Sequence, residues 1–163
     1  MKYENNHYYL SEDYRKPSKD HLAEYRNSVF FTLLSRGSEA RGLAYEDIVS
    51  YILENEGYDV KPRINTQHDR IINNRKAEIK GSRKPSPFAK NKTRTAAFRR
   101  IVKGDDYEDI FLAFFNPDDT VEIWKTTFDR IEKDLYQDKG IVYNLEKHPS
   151  QVDADLVLKV EVK

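Results

Sequence analysis

Asp69, Glu78 and Lys80 bring two carboxylates and an amine into one short stretch, Asp69-Arg70-Ile71-Ile72-Asn73-Asn74-Arg75-Lys76-Ala77-Glu78-Ile79-Lys80-Gly81. Asn tolerates the positive φ that a two-residue hairpin turn demands, so Asn73-Asn74 reads as the turn between two strands. Counting outward pairs Arg75 with Ile72, Lys76 with Ile71, Ala77 with Arg70 and Glu78 with Asp69. The two acids then face each other with Cβ atoms about 5 Å apart, where like charges are destabilising. A bound cation would offset that repulsion. Lys80 falls on the same face as Glu78, because side chains alternate along a strand. Two carboxylates and an amine on one surface are the parts of a metal-dependent hydrolytic site. The same residues also read as ordinary surface charges on the open face of a hairpin.

The elements that must position these residues follow from the surrounding pattern. Residues 1–17 are polar and tyrosine-rich (Tyr3, Tyr8, Tyr9, Tyr14), which suggests an arm either loosely ordered or packed on a partner subunit. Leu22, Tyr25, Val29 and Leu33 share one stripe of a predicted helix from Ser18 to about Ser35. A second helix runs from Ser38 or Gly42 to Glu56, stopped by Gly57. Tyr58 to Ile64 reads as a strand interrupted by Pro62, and the hairpin follows. Gly81 to Asn91 is a loop, Thr93 to Lys103 a predicted helix with Phe98, Ile101 and Val102 inward, and Ile110 to Phe115 a strand covered on both faces. Thr120 to Thr126 is a further strand, Phe128 to Gln137 a helix, and Leu156 to Val162 a late strand. This order predicts an α/β (α+β) fold, a mixed sheet flanked by helices.

A chain of 163 residues fits a single domain, 1–163. No run approaches a membrane span, and the N-terminus lacks the apolar core of a signal peptide, so the expected location is cytoplasmic. There is no cysteine, which excludes thiolate metal sites and leaves an oxygen-ligated ion. His7, His21 and His148 lack a neighbouring ligand pattern for zinc. The net charge is zero, yet Ile79 to Lys103 holds nine basic residues and no acidic one. Lys80 is the first of them. Arg83, Lys84, Lys90, Lys92, Arg94, Arg99 and Arg100 follow and are the candidate DNA contacts. A local basic stretch beside a carboxylate site suits a phosphodiester substrate; a solvated basic loop is the plain alternative.

The spacing Asp-x8-Glu-x-Lys resembles the catalytic motif of the PD-(D/E)xK nuclease superfamily, most of all its small type II restriction endonucleases. Gly42-Leu43-Ala44-Tyr45-Glu46-Asp47-Ile48-Val49-Ser50-Tyr51-Ile52-Leu53 followed by Gly57-Tyr58-Asp59-Val60 is similar to the family's first core helix and strand. Ile79-Lys80-Gly81-Ser82 resembles its exit from the catalytic strand. His68 stands where the family has proline. The likeness covers residues 42–126, which would be the catalytic core.

That resemblance implies a restriction-endonuclease-like αβββαβ core and a Mg²⁺-dependent (or Mn²⁺-dependent) endodeoxyribonuclease, of prokaryotic or phage origin. The restriction type is the leading expectation. A structure-selective junction or flap nuclease, a phage recombination nuclease, and a non-catalytic DNA-binding module are the alternatives. Asp69 and Glu78 would hold the metal with the Ile79 carbonyl, and Lys80 would orient water or neutralise phosphate. Glu46 would be the helix acid, with Glu39 its competitor, and Asp59 is an alternative to Asp69. Gln67 and His68 are candidates to touch DNA or orient a carboxylate, and Ser82 to hydrogen-bond phosphate or cap the strand exit. The partner would be double-stranded DNA, and cutting both strands calls for a homodimer.

Overall fold

Two Asn-Asn pairs each turn the chain back on itself. In the computed structural model, which describes residues 1–11, 22–86 and 93–163, both members of each pair are left-handed: Asn5 and Asn6 with φ of 52° and 62°, Asn73 and Asn74 with 51° and 64°. The first pair joins β1 (Lys2–Glu4) to β2 (His7–Tyr9). The tyrosine-rich segment is therefore a hairpin over its described residues, and it packs on its own chain. Tyr8 is buried, its hydroxyl donates to Glu56 at 2.7 Å, and its strand bridges Val162 near the C-terminus. The start of the helix predicted from Ser18 lies outside the described residues. Its later part is not one helix but a single turn at Ala23–Tyr25 and a short α1 (Phe31–Leu34).

α2 (Ser38–Asn55) is the long helix, and Gly57 (φ +95°) lets the chain leave it. Then come β3 (Val60–Pro62), β4 (Arg70–Ile72), β5 (Arg75–Arg83), β6 (Phe98–Val102), β7 (Asp109–Phe115) and β8 (Thr120–Thr126). The register from Asn73-Asn74 follows the count made on the sequence: Ile72 opposite Arg75, Ile71 opposite Lys76, Arg70 opposite Ala77. After α3 (Phe128–Ile131) and a 3₁₀ turn, β9 (Tyr136–Lys139) and β10 (Val142–Leu145) form a hairpin, and β11 (Asp155–Glu161) ends the chain. The predicted helix to Gln137 thus stops early.

The class is α+β. Six strands form a mixed sheet in the order β11-β8-β7-β5-β4-β3, and β6, β10 and β9 form a smaller one. Within the six-stranded sheet, among the described residues, only β5 and β7 run parallel. Pro62 sits on the edge strand β3, where a missing N–H does no harm. β7 is buried along its whole length, as its continuous apolar run requires. Phe111, Ala113 and Phe115 face a core built from α1 and α2, including Tyr45, Ile48, Val49, Ile52 and Leu53. Ile110, Leu112 and Phe114 face a second core with Phe98, Ile101, Ile131 and Leu145. Each fully buried Leu, Ile or Phe contributes about 1.5–3 kcal/mol.

The crossover from β5 to β7 corrects one expectation. Thr93 to Lys103 is not a helix; residues 98–102 are β6, paired with β10. Phe98 and Ile101 are both buried at a spacing of three, which imitates a helical stripe. A bulge in the strand is the actual cause.

Candidate active site

β4 is short and β5 is long, and that difference makes the site. β4 starts at Arg70, opposite Ala77, so β5 runs on from Glu78 without a neighbour on that side. Asp69 stands at the mouth of the gap. Its N–H donates to the Ala77 carbonyl at 2.9 Å, and its Oδ2 accepts from the Ile79 N–H at 2.7 Å. The carboxylate thus takes the place of the missing strand for one hydrogen bond. N–H and C=O of one strand residue point to the same side, so the Ile79 carbonyl also faces this gap.

Glu78 and Lys80 share the face of β5 that bears the second core, and Lys80 Nζ lies 3.3 Å from Glu78 Oε1. Glu46 approaches from α2. Arg70 reaches back to the helix, 3.4 Å from Glu46 and 3.1 Å from Asp47. The helix can come this close because Gly81 has no side chain: a Cβ there would lie 2.3 Å from the Tyr45 ring.

Glu46, Asp69 and Glu78 line one cleft, and burial is the largest influence on the two glutamates. Burial, then the Asp69 charge and a hydrogen bond to it, push the Glu46 carboxyl up to about 7. Burial, then a hydrogen bond to Asp69, push Glu78 up to about 8 against the opposing pull of Lys80. The two glutamates thus hold protons near neutrality, chiefly because burial penalises their charged forms and secondly because Asp69 is close by.

The acids form the floor of a cleft of about 920 Å³ between the N-terminal half of α2 and β6. Its walls carry Arg83, Arg94, Arg99 and Arg100 from the basic stretch, and Arg41 from α2, which the sequence reading missed. Arg41 lies four residues before Tyr45, one helical turn away on the side of α2 that faces β5.

No family model and no curated protein matches the sequence. Among solved structures, the fold is similar to that of a bacterial homing endonuclease, I-Ssp6803I, at 13% identity and a TM-score of 0.42, covering 69% of this chain and 77% of that one. At that identity and score the likeness assigns no activity. None of the helices in the described residues is long and apolar enough to cross a membrane.

The other candidates fall in several places. Glu39 lines the cleft as well, but it is Glu46 whose carboxyl is pushed up by burial and by the nearby Asp69. Asp59 lies beside the turn, where its backbone bonds to Asn73, and its carboxylate is 3.6 Å from Lys61. His68 is buried; its Nε2 accepts from the Ile64 N–H at 3.1 Å and braces the loop that delivers Asp69. Gln67 is exposed, with its N–H on the Asn65 side chain. Ser82 is buried too: it accepts from the Ala97 N–H at 2.9 Å and donates to the Arg83 carbonyl, tying the exit of β5 to the segment before β6. Lys84 pairs with Glu24 at 2.8 Å and does not line the cleft, whereas Arg94 lines it while paired with Glu146 at 2.9 Å. Lys90 and Lys92 lie outside the described residues.

The carboxylates of Asp69, Glu78 and Glu46 offer oxygen donors, the kind a hard divalent cation takes, and the two glutamates would have to release their protons to serve. The acids are bonded internally, Asp69 to Ile79, Glu78 to Lys80 and Glu46 to Arg70. Among the described residues no three His, Cys, Asp or Glu side chains stand in a metal-holding arrangement. An ion would have to draw the two glutamates off their cationic partners.

Proposed function

We propose that this chain is a Mg²⁺- or Mn²⁺-dependent endonuclease that hydrolyses phosphodiester bonds of duplex DNA. What carries the reading is the meeting of Asp69, Glu78 and Glu46, from a loop, a strand and a helix, beside the Lys80 ammonium in a cleft walled by arginines. Asp69, Glu78 and the Ile79 carbonyl would hold the ion, with Glu46 close behind. When bound, such an ion lowers the pKa of a coordinated water and offsets charge on the phosphoryl oxygens.

The remaining work falls to this chain's own residues. Lys80 donates toward the scissile phosphate, or to the attacking water, and offsets the negative charge that grows there. Arg83, Arg94, Arg99 and Arg100 hold neighbouring phosphates; such contacts position the duplex without reading it. Hydrolysis of both strands by a chain with one such site calls for two copies and a two-fold target, the arrangement of a restriction-type enzyme.

One observation favours a second reading. The acids are satisfied by internal partners, as they would be in a DNA-binding module without catalysis. Incubation of the protein with supercoiled plasmid in Mg²⁺ or in EDTA separates the readings. Nicked or linear plasmid in Mg²⁺ alone supports the nuclease, and discrete fragments support the restriction type. Cutting confined to branched DNA supports a structure-selective nuclease. Plasmid that is bound and never cut supports the module.

A further inference from the structure

Along a regular strand, neighbouring residues face opposite ways. Arg99 and Arg100 do not. Both are exposed, while Phe98 and Ile101 on either side are fully buried. The pairing with β10 explains this. Ile101 opposes Tyr143 and Phe98 opposes Leu145, so Asn144 alone faces both arginines. The extra residue is a β-bulge, and Arg100 there adopts φ +58°, a region unfavourable to any residue with a Cβ. The buried Asn144 side chain accepts from the Arg100 N–H at 3.0 Å and holds it in that conformation.

Arg99 and Arg100 both line the acid-floored cleft, and among the described residues neither has an ion-pair partner. Other cations of the same stretch are engaged: Lys80 with Glu78, Lys84 with Glu24, Arg94 with Glu146, Lys103 with Glu132. Strained backbone persists where the surrounding structure enforces it, and bulges commonly re-aim side chains next to active sites.

We infer that the bulge in β6 is a built seat for phosphodiester anions, in which Asn144 sets Arg100 left-handed so that Arg99 and Arg100 both reach the backbone of a nucleic-acid duplex lying in the cleft. The inference rests on the nuclease reading of that cleft. The phosphates seated here flank the scissile one, which belongs at the acids. Binding through this seat is independent of base sequence and weakens with salt.

Anisotropy of a fluorescein-labelled mixed-sequence duplex, with Ca²⁺ in place of Mg²⁺, measured across a series of KCl concentrations, tests it. Arg99→Gln and Arg100→Gln are each expected to lower the slope of log affinity against log salt by about 1. Arg100→Gly is expected to lose the same slope while Tm holds or rises by up to about 3 °C, because Gly takes positive φ without strain. Asn144→Leu keeps both arginines and is expected to weaken binding about fivefold or more. Wild-type slopes in Arg99→Gln and Arg100→Gln, with normal binding by the unaltered protein, would overturn this inference and leave the cleft reading intact. Failure of the unaltered protein to bind duplex would overturn both.

Discussion

Asp69 Oδ2 accepts a hydrogen bond from the Ile79 N–H at 2.7 Å, across the gap where β4 has ended. One carboxylate therefore does two jobs: it completes the hydrogen bonding of β5 and it presents negative charge to Glu46 and Glu78. These jobs separate by substitution. Asp69→Ala leaves the Ile79 N–H without its partner and is expected to cost about 1–3 kcal/mol in urea unfolding. Asp69→Asn keeps an acceptor oxygen and is expected to cost less than about 1 kcal/mol. Both are expected to lose cleavage by 100-fold or more, on the order of a removed charge-stabilising group.

Stability should depend on pH with a sign fixed by the two glutamates. Their folded values, about 7 for Glu46 and about 8 for Glu78, lie above the ordinary 4.5, so the folded state binds protons more tightly than the unfolded one. The stability from these groups is fully present below 4.5 and is lost as pH rises through 7 to 8. Tm in the absence of metal is expected to fall over this interval. Glu78→Gln, which cannot ionise, is expected to flatten the fall.

Metal binding should release protons. Carboxylates must ionise to ligate a cation, and Glu46 and Glu78 hold protons near neutrality. Calorimetry of Mg²⁺ binding at pH 7, in buffers of different ionisation enthalpy, is expected to show about one proton released per ion, and fewer in Glu78→Gln.

The hairpin and its register were legible in the sequence because both rest on local chemistry, an Asn-Asn turn between short strands. The same signal at Asn5-Asn6 marks the N-terminal hairpin, and there it was overlooked among the tyrosines. Counting placed Asp69 opposite Glu78, but the ladder ends at Arg70 opposite Ala77 and the Asp69 carboxylate turns to the Ile79 N–H; the approach of Glu46 depended on how α2 packs over Gly81, a tertiary fact. β6 was misread as a helix because its bulge buries Phe98 and Ile101 three residues apart. The burial of His68 and Ser82 was equally illegible, since polar residues in a loop and at a strand end carry no periodicity.

Gly81→Ala tests whether the close approach of the helix matters to the site. The added methyl would meet the Tyr45 ring at 2.3 Å, and the ring is held from behind by Phe115, 5.0 Å away between centroids. The Tyr45 ring and the helix that carries it are expected to shift, at a cost of about 1–3 kcal/mol for overpacking. Because Glu46 travels with the helix, Mg²⁺ affinity is expected to fall together with stability, read by calorimetry and by urea unfolding.

Cleavage by the intact protein and by variants of its two central groups tests the account most directly. Supercoiled plasmid is incubated with the wild type, Glu78→Gln and Lys80→Met, in Mg²⁺ and in EDTA, with duplex binding followed in parallel. The expected result is nicking or linearisation by the wild type in Mg²⁺ alone, and loss of cutting by 100-fold or more in both variants while binding stays within a few-fold. Cutting that persists in EDTA, or that survives both substitutions, would contradict a metal-dependent site built on Asp69, Glu78 and Lys80.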